Sequence, residues 1–196
     1  MAKKQIIGVF GGTFDPPHQA HLEVGRQVAL ELGMAQILFV VANDPWQKTL
    51  EKEITSATDR FKMVQLMLAQ DPNLVASDVE LVLGGESVTA QTLERLTSLY
   101  PNCDLDLIVG YDAALGIETW RDYERIFEYA RIVVVDRPGK QDELPGFLNG
   151  ALRVTGPSLD ISSDDIKDRL QRGFGVEGLL PESVKTYIVE NLIYGG

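Results

Sequence analysis

Short apolar runs alternate along this chain with stretches in which apolar positions recur every three or four residues. Residues 5–10 ("QIIGVF") are such a run, rich in β-branched side chains and stopped by Gly11 and Gly12, which predicts a buried strand. Leu22, Gly25, Val28, Ala29 and Leu32 follow at helical spacing, with Gly33 placed as a C-cap. Residues 36–41 ("QILFVV") repeat the strand pattern, so the opening segment reads as β-α-β.

The alternation continues. Helices are predicted over residues 59–69, with Phe61, Val64, Met67 and Leu68 on one face, over residues 87–100, with Val88, Leu93 and Leu96, and over residues 123–130. Strands are predicted over residues 79–83, 105–110, 131–136 and 152–155, and two more helices over residues 162–172 and 181–191, the latter with proline first. Strands separated by helices imply a parallel sheet covered on both faces, with right-handed crossovers and ligands at the carboxyl ends of the strands. The expected fold class is α/β: a Rossmann-like doubly wound parallel sheet over about residues 1–156, with C-terminal capping helices over about 157–196. At 196 residues and 44% hydrophobic the chain suits one domain.

Charge narrows the function. A formal net charge of −11 opposes a partner such as nucleic acid, so a phosphate-bearing ligand needs a local device of backbone N–H groups, a few cations or a metal ion. The lone cysteine, Cys103, cannot form an intrachain disulfide, which fits a reducing, cytoplasmic setting. The apolar run near the N-terminus is too brief for a signal segment or a membrane span, so no membrane partner is expected.

The candidate device is "GGTFDPPHQAH", residues 11–21. Gly11 and Gly12 end a strand without a Cβ to obstruct a ligand, and the following helix adds its positive dipole end, which together make a phosphate cradle. His18 and His21, the only histidines of the chain, stand three apart near that helix start and can face one ligand group. Histidines so spaced can also share a metal, but Asp15 is the only obvious third ligand, and no metal site is expected. The stretch "GFGVEG" (residues 173–178) matches G-x-G-x-x-G, yet it follows a helix instead of a strand and reads as a connecting loop.

"GGTFDPPHQAH" resembles the signature of the H-x-G-H nucleotidyltransferase superfamily, with Ala20 at the motif's glycine, and its lead-in is similar to the nicotinate (nicotinamide) mononucleotide adenylyltransferase family. "DPWQK", "SVTAQTL", "GYDAAL", "TW", "RPG" and "ISSDDIK" follow in the family's order. The resemblance implies transfer of AMP from ATP, with Mg2+, to nicotinate mononucleotide or nicotinamide mononucleotide, releasing pyrophosphate. It places His18, His21 and Lys48 at the phosphates, Gly11, Gly12, Thr13 and Phe14 along the cradle, and Gly110 and Asp112 at the adenosine. Ser162, Ser163 and Lys167 would meet the triphosphate, while Thr89, Trp120, Arg121 and Arg137 would serve the substrates, Trp120 by stacking on the pyridine ring. Arg121 could pair with nicotinate's carboxylate or with an acid such as Asp122 or Glu124.

Two positions depart from the family's I-S-S-T-x-I-R pattern: Asp164 replaces threonine and Lys167 replaces arginine. The acid suits a helix start but occupies ground near a triphosphate, and lysine keeps the charge without the fork, so either magnesium mediates more of the contact or ATP is held less tightly. Gln47 stands where relatives often carry histidine. A sister transferase with another phosphorylated acceptor and a weakly active nucleotide-binding protein are the alternatives; homo-oligomerisation is left open.

Overall fold

The computed structural model describes residues 4–45, 54–137, 139 and 143–195. Six parallel strands, β1 (Gln5–Gly12), β2 (Gln36–Val41), β3 (Leu74–Ser77), β4 (Cys103–Gly110), β5 (Ala130–Asp136) and β6 (Leu152–Thr155), form one sheet in the order β3-β2-β1-β4-β5-β6. The order reverses at β1, where the chain leaves toward β2 on one side and β4 lies on the other, so a crevice opens outside the carboxyl end of β1. The glycine-histidine segment leaves the sheet at that end.

Side chains alternate across the sheet and feed two cores. Ile37, Phe39, Val41, Ile108, Val133 and Val135 face one side, beneath α1 (Gln19–Leu32), α2 (Ala57–Leu68), α7 (Ser163–Gln171) and α8 (Glu182–Glu190). Val9, Leu38, Val40, Leu107, Val109 and Val134 face the other, beneath α4 (Thr89–Leu99) and α6 (Tyr123–Tyr129). Strands buried on both faces read as unbroken apolar runs, which is why "QILFVV" was legible. The two C-terminal helices join α1 and α2 on a single face, with Ile166, Val184 and Ile188 in that core. Gly25 lets α1 approach the sheet, since a Cβ there would stand 2.6 Å from the Phe39 ring.

One expected strand is a helix. Residues 79–83 form α3 (Val79–Leu83), in which only Val79 is buried and the N–H of Gly84 closes back on the Glu80 carbonyl. A short apolar run does not distinguish strand from helix. The strand beside β2 is β3 instead, four residues set in register with Ile37 to Val40. The G-x-G-x-x-G stretch joins α7 to α8 as a loop, with Gly173 and Gly178 at positive φ. A further short helix, α5 (Tyr111–Leu115), follows β4. No described helix is long and apolar enough to cross a membrane.

Candidate active site

Beyond β1 the chain turns under its own aromatic ring. Phe14 adopts φ +51° and is buried, with its ring against Phe39 and, edge-on, against His21 at 5.0 Å between centroids. A Cβ on Gly12 would lie 2.7 Å from that ring, so glycine is required there, whereas one on Gly11 would meet no atom. Phe14, expected along the cradle, therefore acts as its floor.

His18 is the N-cap of α1, and its ring stacks on that of His21 with centroids 3.6 Å apart and planes inclined by 21°. The His18 N–H donates to Nδ1 of His21 at 3.2 Å. This is the half of a capping box in which the N3 side chain reaches back, and it leaves Nε2 of His21 as the protonated nitrogen of the neutral ring. Burial pushes the His18 imidazole down from 6.5 to about 4. Its Nδ1 is buried without a hydrogen-bond partner among the described residues. At neutral pH His18 is therefore uncharged, and the cradle's positive character there comes from main-chain N–H groups and the helix dipole.

A cavity of about 200 Å³ opens on the α4 side of the sheet, with Gly11, Gly12, Thr13, Thr89, Trp120 and Arg121 in its wall. Aliphatic strand residues such as Val9, Val40 and Leu107 make its base. Glu80 and Ser87 add polar groups that the sequence did not single out; Glu80 is oriented by a 2.6 Å hydrogen bond donated by Thr92. The imidazoles are not part of this wall, so the strip Gly11 to Thr13 is what cavity and histidine loop share. Arg121 pairs with Glu86, and Trp120 follows a 3-10 turn at Ile117–Thr119. Asp112, beyond Gly110, accepts a hydrogen bond from Arg137, both side chains exposed. Lys48, with Trp46 and Gln47, lies outside the described residues.

Behind the loop, ionic groups gather. Asp15 is buried; its Oδ1 accepts from the Tyr194 hydroxyl and its Oδ2 from Lys167 and from the Thr55 N–H. Burial would raise this carboxyl, but those donors outweigh it and hold it below the usual carboxylate range. Lys167, expected at the triphosphate, thus spends its charge on Asp15. Ser163 donates to the Pro16 carbonyl at 2.9 Å, while Ser162 caps α7 by accepting from Asp165 N–H at 3.1 Å. Arg60, 1% exposed, donates to the carbonyls of Thr13 (2.8 Å), Thr55 (2.8 Å) and Asn43 (3.1 Å). Arg60 and Tyr194 carried no signal in the sequence, because neither stands in a motif. Among the described residues no three His, Cys, Asp or Glu side chains gather closely enough to hold a metal ion.

A parallel sheet with a glycine-lined crevice at its switch point defines an α/β class of protein whose ligands bind outside the carboxyl ends of the strands. A family model described as cytidylyltransferase-like matches residues 9–169, from β1 to α7, and the chain belongs to that family. A relative in Saccharopolyspora erythraea, named "Probable nicotinate-nucleotide adenylyltransferase", is 36% identical over all of this chain and 92% of its own length. One of the same name in Corynebacterium glutamicum is 37% identical over 98% of this chain and 89% of its own. A solved structure of Plasmodium falciparum nicotinic acid mononucleotide adenylyltransferase complexed with NaAD superposes with a TM-score of 0.80 at 18% identity, covering 97% of each chain.

Proposed function

We propose that this chain is a nicotinate-nucleotide adenylyltransferase that joins ATP and a pyridine mononucleotide. The observation that carries the reading is the Gly11 to Thr13 strip, which lines a cavity walled by Thr89 and Trp120 and leads through Phe14, whose ring meets His21 edge-on, to the stacked histidines. One strip without side chains in the way can then bring two phosphate groups within reacting distance.

In this reading a phosphate oxygen of the mononucleotide attacks the α-phosphorus of ATP, the bond to the bridging oxygen of the β-phosphate breaks, and pyrophosphate leaves. The nucleophile is anionic near pH 7, so no general base is needed, and catalysis reduces to alignment and charge stabilisation. His21, fixed through Nδ1, presents Nε2–H to the phosphoryl oxygens. Trp120 and Thr89 seat the pyridine ring, and Asp112 and Arg137 meet the adenosine side. Magnesium enters with the triphosphate as part of the substrate and neutralises its charge; the described residues offer it no ligand cluster of their own.

The test is pyrophosphate release from MgATP with a panel of phosphorylated acceptors. Turnover with nicotinate or nicotinamide mononucleotide and not with other acceptors supports the reading; turnover only with another acceptor makes the chain a sister transferase, and ATP-dependent thermal stabilisation without turnover makes it a binder. His21→Ala should cut kcat by about a hundredfold or more with the fold intact by circular dichroism. A nearly unchanged kcat would remove His21 from the reaction.

A further inference from the structure

The Asp15 cluster sits behind the loop, yet it joins three parts of the chain remote in sequence. Lys167 comes from α7, Tyr194 from the segment beyond α8, and the Thr55 N–H from just ahead of α2. The Lys167 ammonium also lies 5.6 Å above the Tyr194 ring, so these two donors to Asp15 hold each other. Arg60 of α2 adds its charge from the same side and grips the Thr13 carbonyl.

Between them these contacts fix both ends of the turn. Arg60 holds Thr13 in the cradle, Asp15 is held at both carboxylate oxygens, and Ser163 holds Pro16, which leaves Pro17 between that turn and His18. The tail that delivers Tyr194 is itself bent: Leu192 and Tyr194 take φ of +52° and +66°, a region that side chains other than glycine rarely adopt. Leu192 is 70% exposed, so that residue gains no burial from the bend. The contact that accompanies the bend is the tyrosine hydroxyl on Asp15, with the half-buried Ile193 packed between.

We infer that Asp15 and Tyr194 are positioning residues, the tyrosine hydroxyl and Lys167 holding the Asp15 carboxylate and, through it, the backbone that sets the two imidazoles. Lys167 serves the reaction from behind the loop, as the counterion of Asp15. The inference rests on the histidines' part in the proposed function, but its geometry is independent of which acceptor is used. Groups that bear on Asp15 are Lys167 from α7, Tyr194 from beyond α8, Arg60 from α2 and the Thr55 N–H. Removing one donor lets the carboxyl protonate at higher pH, and a neutral carboxylic acid holds neither partner in the same place.

Tyr194→Phe deletes the hydroxyl and keeps the ring. It should lower kcat about tenfold with KM for both substrates within about twofold, because only alignment is lost. The acidic limb of the kcat profile should move to higher pH. The chain has only two histidines, so their imidazole resonances are readily assigned, and both should shift in Tyr194→Phe and in Asp15→Asn. Tyr187→Phe removes the hydroxyl of the α8 tyrosine, which bonds Asp59 on α2, and should change none of these. Wild-type kcat, limb and resonances in Tyr194→Phe would overturn the inference. So would a lower kcat with limb and resonances unmoved, which is the mark of a tail that only stabilises the fold. If the wild-type chain joins ATP to no acceptor, the functional reading fails, and the imidazole resonances still decide this one.

Discussion

The Asp15–Lys167 pair and the Asp112–Arg137 pair each join an acid to a base, and burial separates them. The first has 4% and 17% of its side chains exposed, the second 67% and 65%. A buried pair has lost its water, so each charge depends on the other and on added hydrogen bonds, which Tyr194 and Thr55 supply to Asp15. An exposed pair is screened, contributes little, and separates at small cost when a ligand offers either partner something better. The molecule therefore uses one pair to hold its loop still and leaves the other free to rearrange.

The buried pair is tested most directly at Asp15. Asp15→Ala leaves the Lys167 ammonium without its partner and should lose about 3–5 kcal/mol of stability in urea unfolding at pH 7. A loss below about 1 kcal/mol would place the pair with ordinary surface ion pairs.

The next effect comes from His18, buried in the same loop. Its folded value of about 4 lies below its ordinary 6.5, so the unfolded chain binds the proton first as pH falls. Stability should hold above about pH 7 and decline by about 3 kcal/mol on the way down to pH 4, a slope that His18→Asn removes. Asp15 acts in a lower window: its depressed carboxyl contributes stability above the ordinary carboxylate range, and that is lost as pH falls through its folded value. An unchanged slope in His18→Asn would mean that the imidazole is not held neutral.

The smallest effect on stability belongs to the exposed pair. Arg137→Ala should shift stability by no more than about 0.5 kcal/mol while raising KM for ATP a few-fold. Equal KM values in mutant and wild type would show that this pair does not meet the nucleotide.

Much of the site was legible in "GGTFDPPHQAH", because strand, glycine pair and helix start are local events that each leave a local mark. Thr89, Trp120 and Arg121 were placed by resemblance, and the structure brings them into one cavity. Residues 79–83 misled because five apolar-rich positions fit either element, and β3 was missed because a four-residue edge strand has too little pattern to show. Lys167 shows a different limit: its charge could be read from the chain, but the Asp15 carboxylate it pairs with lies 152 positions away.

The sequence by itself determined the alternation of strands and helices, the glycine-lined junction and the stacking-competent spacing of two histidines, since all three depend on neighbours within a turn or a run. Tertiary structure alone decided which charges face a ligand and which face each other. Desolvation and long-range pairing set that choice, as when the packing of α7 and the residue 192–194 tail against the loop turned Lys167 and Tyr194 onto Asp15.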